Sequence, residues 1–160
     1  MWFRDAGSNG LRFDRQGNLV ICQSAQRRLV RRRQDGSLQV LADNYRNMKF
    51  NTPNDLAIDA KGRIYFTDPR YGDRSSIEMR DDSGRQVEGV YRVDLDGTIA
   101  RIITHEVDRP NGIPITTDDR FLFVADNNNN NNNNNQRGGA RKQWRFNLNY
   151  NGSIAAATQT

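Results

Sequence analysis

The stretch NTPNDLAIDAKGRIYFTDP, residues 51–69, predicts a β-hairpin whose first strand begins at an asparagine. Two short apolar runs, residues 56–58 and 64–66, flank a polar turn that contains a glycine. Branched and aromatic residues on either side of such a turn favour strands over a helix. The hairpin is ordinary, but Asn54 stands just where its first strand begins, and that position calls for an explanation.

The same pattern occurs three times along the chain. NGLRFDRQGNLVICQ begins at Asn9, NDLAIDAKGRIYFTD begins at Asn54, and NGIPITTDDRFLFVAD begins at Asn111. Each segment has an asparagine followed by glycine or aspartate, then alternating apolar residues, a polar turn and a second apolar run. The asparagines are 45 and 57 residues apart. A four-stranded repeat of about 40–50 residues is the size of a propeller blade, and the longer spacing reflects an insertion.

A second predicted hairpin follows each of these segments. The turns are expected at Asp35-Gly36, Asp96-Gly97 and Asn151-Gly152. These dipeptides favour two-residue type I′ turns, in which both central residues have positive φ. Each repeat then supplies about four antiparallel strands, and the sequence predicts an all-β fold of about three four-stranded blades within residues 1–160.

Two longer segments interrupt the repeats, and their positions predict where ligands bind. Residues 70–89 interrupt the second repeat, and the asparagine run at 127–135, a low-complexity segment predicted to be a mobile loop, interrupts the third. The blades of a propeller together form a disc. In an antiparallel blade, the loop that leads into the first strand and the loop that joins the second strand to the third lie on the same face of this disc. The three repeated asparagines and both interruptions therefore point to one site at the channel mouth, although Asn-Gly is also a common turn pair that needs no ligand.

Composition restricts the class of protein. The chain has 160 residues, which suits one domain, and its one histidine excludes a multi-histidine metal site. No apolar run approaches the roughly 18 residues of a membrane span, and the N-terminus lacks the pattern of a signal peptide. We therefore expect no membrane partner and, by default, a cytoplasmic location. The single cysteine, Cys22, is expected to be a small buried side chain.

The net charge of +5 comes in large part from RRLVRRR, residues 27–33. A nucleic-acid-binding patch would need aromatic side chains for base stacking, and none interleaves with these arginines. We interpret the run as the solvated face of a strand, and we expect no nucleic-acid partner.

Several motifs together resemble one protein family. SNGLRFD, TPNDLAIDAKGRIYFTDPRYG, GVYRVDLDG, RPNGI, FLFVAD and GGARKQWRF are similar to segments of the gluconolactonase, senescence-marker-protein (regucalcin) and luciferin-regenerating-enzyme family, and especially to its bacterial gluconolactonase-like members. The resemblance covers roughly residues 7–154. It implies a six-bladed β-propeller, of which this chain would form about three blades, with a divalent cation such as Ca²⁺ in the channel. It also implies hydrolysis of a small-molecule ester, most often a sugar lactone.

The resemblance also suggests roles for individual residues. Asn111 matches a metal ligand, and Asn54 matches an asparagine that contacts the metal, its water or the substrate; Asn9 begins its own repeat in the same way and is a candidate substrate contact. Tyr71 and Asp68 follow the second strand of the second repeat and could line the substrate mouth, although Asp68-Pro69 could equally end the strand.

Two further carboxylates that the resemblance implies have no match in the chain. A glutamate ligand would precede Met1, and an aspartate that acts as metal ligand and general base would follow Thr160, so the chain is interpreted as a fragment. The open blade faces of such a fragment should favour self-association. The alternative interpretation is a non-catalytic β-propeller module that binds a protein partner.

Overall fold

The computed structural model describes residues 7–128 and 142–155, together with the backbone of residues 158–159. The first sheet is antiparallel with strand order β1-β2-β3-β4. Its strands are β1 (Ser8–Phe13), β2 (Leu19–Gln23), β3 (Arg28–Arg32) and β4 (Leu38–Ala42). A small hairpin of β5 (Asn44–Tyr45) and β6 (Met48–Lys49) leads out of this sheet.

The second sheet has the order β10-β9-β8-β7, and the third has the order β11-β12-β13. Their strands are β7 (Leu56–Ile58), β8 (Ile64–Thr67), β9 (Val90–Val93), β10 (Ile99–Ile103), β11 (Phe121–Ala125), β12 (Gln143–Asn147) and β13 (Thr158–Gln159). The first strand of the third sheet is reduced to one bridge between Ile115 and Leu122. The three sheets confirm the prediction of a partial β-propeller with about three blades.

The two predicted interruptions lie between the second and third strands of their blades. Residues 70–89 join β8 to β9 and contain a short 3₁₀ helix, Arg74–Ser76. The asparagine run begins at Asn127, directly after β11, and residues 129–135 lie outside the described residues. Across the ranges that are described, no helix has the length and apolar character needed to cross a lipid bilayer.

The turns between the third and fourth strands differ from the prediction. Positive φ angles occur at their glycines: Gly36 at 85°, Gly97 at 86° and Gly152 at 78°. The residues before them, Asp35, Asp96 and Asn151, are not in the positive-φ region, so the prediction of type I′ turns was wrong. In the first of these turns, Gly36 N donates to Arg33 O at 2.9 Å and Arg33 N donates to Ser37 O at 2.9 Å. This is a type I turn followed by a left-handed glycine, a longer loop that the same dipeptide also suits.

Side-chain alternation along β8 explains how the sheets stack. Ile64 and Phe66 pack toward the first sheet, against residues that include Cys22, which is fully buried as expected. Tyr65 points the other way and packs toward the third sheet with Phe146. Successive side chains of a strand point to opposite faces of its sheet. A strand in a sheet that is covered on both faces is therefore apolar at every position. The middle blade is therefore buried on both faces.

The outer face of the first sheet carries a row of apolar side chains that is exposed at its two ends and buried in its middle, at Ile21 and Val30. Leu11 pairs with Ile21, Ile21 with Val30, and Val30 with Val40, so these four side chains form a row across the sheet. Leu11 and Val40, at the two ends of the row, are exposed, as is Phe13 on the same strand as Leu11. The exposed apolar side chains on this side of the sheet therefore include Leu11, Phe13 and Val40.

Candidate functional site

The first and second repeats meet at Asn54. Gly10 N donates to Asn54 O at 2.6 Å, and Asn54 N donates to Thr67 O at 2.9 Å. A Cβ atom at position 10 would lie 2.7 Å from Asn54 O, so glycine is needed for this close approach. The exposed side chain of Asn9, next to Gly10, therefore lies beside the Asn54 segment.

The second and third repeats meet through Thr67 and Asp55. Thr67 Oγ1 donates to Asn111 O at 2.8 Å and accepts from Asp55 N at 3.1 Å. Asp55 Oδ2 in turn accepts from Ile113 N at 3.1 Å. The structure thus brings all three repeated asparagine segments together. Sequence reasoning missed Asp55 and Thr67, although the second repeat has Asn-Asp where the other two have Asn-Gly.

The side-chain amide of Asn54 is available to a ligand. Asn54 is 9% exposed, and no hydrogen bond from another described residue reaches its side-chain amide. A largely buried amide without partners is costly unless a ligand or water satisfies it. Both a carbonyl acceptor and an N–H donor are therefore presented at this point of the mouth.

Tyr71 orients Asn111. Asn111 Nδ2 donates to Tyr71 Oη at 2.6 Å, and Asn127 Nδ2 approaches the same oxygen at 3.4 Å. Since the nitrogen of Asn111 faces the tyrosine, its Oδ1 is left free of hydrogen bonds to described residues. Amide oxygens of this kind are ligands that hard cations such as Ca²⁺ accept. Tyr71 is 38% exposed, and its role as a substrate contact stays a prediction.

Asp68 does not line the mouth in the structure. Its side chain is fully buried, and Oδ2 accepts from Asn51 N at 2.8 Å. Asn51 Nδ2 also donates to Asp68 O at 3.0 Å and to Val87 O at 2.9 Å, which closes the base of the 70–89 segment over the carboxyl. Burial raises the pKa of Asp68 to about 8. This position disagrees with a substrate contact and suits the alternative, a residue that ends the strand.

A second buried carboxyl, which sequence reasoning missed, lies near Tyr71. Glu88 is buried and accepts hydrogen bonds from Arg70 N at 2.5 Å and from the guanidinium of Arg74. Burial raises the pKa of Glu88, and the arginines around it act in the opposite direction. No repeated pattern includes this residue, because it lies in the segment that interrupts the second repeat.

The oxygen ligands that Asn54 and Asn111 offer fit part of a divalent-cation site. The amide oxygens of Asn54 and Asn111 have the right chemistry for a hard cation but carry no charge. Asp55 and Glu88 already accept hydrogen bonds. Among the described residues, no group of three or more His, Cys, Asp and Glu side chains could hold a metal ion. The described residues thus supply neutral ligands without the carboxylates that would give affinity.

The fold is that of a partial β-propeller in which the asparagine segments of the three repeats lie together. The SMP-30/Gluconolactonase/LRE-like region matches residues 2–133. The chain belongs to this family, and the resemblance inferred from its motifs is confirmed.

Individual relatives agree with this assignment. A gluconolactonase of Zymomonas mobilis subsp. mobilis is 31% identical over 160 residues, which are 98% of this chain and 41% of that protein. The structure of a gluconolactonase from Xanthomonas campestris superposes with a TM-score of 0.75 at 29% identity, over 96% of this chain and 48% of that one. A chain of a nidogen/laminin complex, with a TM-score of 0.60 at 16% identity over 94% of this chain and 48% of its own, shows the fold alone. The chain spans less than half the length of each of these relatives.

Proposed function

We propose that this chain is part of a divalent-cation-dependent hydrolase of small-molecule esters, with a sugar lactone as substrate and a Ca²⁺-type ion as cofactor. The observation that carries the proposal is that the amide oxygens of Asn54 and Asn111 accept no hydrogen bond from the described residues, close to where the segments of the three repeats meet. Family membership and the names of the gluconolactonase relatives support the same substrate class.

Each side chain has a defined task in this proposal. Asn54 and Asn111 hold the cation and the lactone, and their backbones are fixed by Gly10 and Thr67. Asn9 and Tyr71, at the rim, offer hydrogen bonds to the hydroxyl groups of the sugar ring. When bound, a divalent cation would polarise the lactone carbonyl and make a water molecule more acidic. The base that takes the proton from this water is not assigned to any residue of this chain.

The decisive experiment measures binding and hydrolysis in parallel. Ca²⁺ is titrated calorimetrically into the wild-type chain and into Asn54→Ala and Asn111→Ala, and hydrolysis of gluconolactone above its spontaneous rate is followed by pH-stat. Because the ligands are neutral, we expect Ca²⁺ to bind weakly, with a dissociation constant of roughly 1 mM or above. Both substitutions should abolish this binding and any hydrolysis that accompanies it.

Asn149→Ala is the matched control. Asn149 lies in the turn after β12, on the opposite face of the disc, where its Nδ2 donates to Ser153 Oγ at 2.9 Å. This variant should bind Ca²⁺ like the wild type. Binding and hydrolysis that are unchanged in both site variants would refute the proposed role of the two asparagines.

A further inference from the structure

Arg109 carries a buried charge whose guanidinium is not hydrogen-bonded to any described residue. Arg109 is 8% exposed, and its Nε atom is buried without a hydrogen-bond partner among the described residues. No described residue accepts a hydrogen bond from its guanidinium. A buried cation without a hydrogen-bonded partner is unfavourable, so such an arrangement suits a group that binds a ligand.

The nearest carboxylate does not satisfy this guanidinium. Glu88 Oε1 lies 3.9 Å from Arg109 Nε, which is beyond hydrogen-bond length. The same carboxylate already accepts from Arg70 N and from Arg74. Residues 129–141, between β11 and β12 in the sequence, contain no aspartate or glutamate, so they provide no carboxylate either.

Arg109 lies next to the asparagine site. Asn127 N donates to Arg109 O at 2.9 Å and Asn111 N donates to Ala125 O at 2.9 Å, so residues 109–111 run extended beside the end of β11. Side chains two residues apart in an extended segment point to the same side. Both indeed reach Tyr71: Asn111 bonds its hydroxyl, and Arg109 Cζ lies 5.5 Å from the centroid of its ring.

We propose that Arg109 binds the carboxylate of a sugar acid at the channel mouth, with Tyr71 as the aromatic platform for its guanidinium. The planar fork of an arginine matches a carboxylate with two parallel hydrogen bonds, and an aromatic face holds the guanidinium in place. The carboxylate has two chemical sources: the hydroxy acid that forms when a lactone opens, or an acidic substituent on the sugar ring. The sugar part of this inference rests on the proposed function, while the carboxylate part rests on Arg109 itself.

The test is a binding measurement that needs no catalysis. Gluconate, glucuronate and the neutral polyol sorbitol are titrated into the wild-type chain, with NMR chemical shifts as the readout. We expect at least one of the two acids to bind about tenfold more tightly than sorbitol, equivalent to about 1.4 kcal/mol. Tighter binding of gluconate identifies the opened product as the source, and tighter binding of glucuronate identifies a carboxylate on the ring.

Three variants make the test specific to Arg109. Arg109→Gln should lose the preference for the acids, and Arg109→Lys, which keeps the charge but not the fork, should retain part of it. Arg15→Gln removes the same charge from an exposed turn and should leave the preference intact. If Arg109→Gln fails to fold by circular dichroism, the wild-type preference and Arg109→Lys decide.

Equal affinity of the wild type for all three compounds, or no binding of either acid, would overturn the inference. So would a preference that survives in folded Arg109→Gln. A chain that prefers the acids through Arg109 but neither binds Ca²⁺ through its asparagines nor hydrolyses lactones would refute only the proposed function.

Discussion

Replacing Asp68 with asparagine should remove a pH dependence of folding stability. The carboxyl is fully buried, and burial raises its pKa from 3.8 to about 8 in the folded chain, against the opposing effect of hydrogen bonds from Asn51 and Thr52. Between about pH 4 and pH 8 the folded state therefore binds a proton that the unfolded state has released. The free energy of unfolding should fall as the pH rises through this window and should level off on either side.

The size of the effect follows from the pKa difference. In the unfolded chain the pKa of this carboxyl lies about three units below pH 7. Each unit corresponds to about 1.4 kcal/mol. Keeping Asp68 protonated in the folded state therefore costs about 4 kcal/mol at pH 7 relative to pH 4. Asparagine needs no proton, so Asp68→Asn should be more stable than the wild type at pH 7 by up to this amount, and the difference should vanish toward pH 4.

Urea denaturation at a series of pH values, followed by tryptophan fluorescence, measures this difference directly. Asp35→Asn is the control, because Asp35 lies in an exposed turn where hydrogen bonds from Ser37 lower its pKa. Its carboxylate contributes stability at neutral pH that is lost as the pH falls through the lowered pKa, which is the opposite direction. Parallel pH profiles for wild type and Asp68→Asn, or a variant that is less stable at every pH, would refute a protonated Asp68.

Two further substitutions test the contacts between blades and the outer side of the first sheet. Gly10→Ala places a Cβ atom 2.7 Å from Asn54 O and should lower the free energy of unfolding by about 1–3 kcal/mol. Gly112→Ala is the control and should cost much less, because its Cβ atom would meet its nearest neighbours at 3.9 Å. Equal shifts of the two variants in urea denaturation would contradict the close contact at Gly10. Phe13 is 68% exposed beside Leu11 on the outer side of the first sheet. We expect a second copy of the chain to cover these apolar side chains, so Phe13→Asp should reduce self-association in light scattering. Leu95→Asp adds the same charge at an exposed turn and should not change the mass; a wild-type chain that stays monomeric would exclude this surface as an interface.

The repeat of asparagine, strand, turn and strand was enough to predict the blades. Strand periodicity is local: Ile64, Tyr65 and Phe66 point alternately to the two sides of β8, and an apolar side chain at each of these positions predicts a neighbour on both faces. Chain direction alone then places Asn54 and Asn111 on one face of the disc. The same local reasoning did not determine the turns, because loop length depends on how the two strands pair, and Asp-Gly suits more than one turn.

The tertiary structure decided which polar side chains meet and which are removed from water. From the sequence, Asp68 and Tyr71 looked equivalent, since both follow β8; the 70–89 segment folds over Asp68 and leaves Tyr71 at the rim beside Asn111. Arg109 and Glu88 come together from different blades, and a contact between residues so far apart in the chain has no local signal in the sequence. The alternation of a strand is determined by neighbouring residues in the sequence. Burial and charge pairing depend instead on which distant residues pack against each side chain.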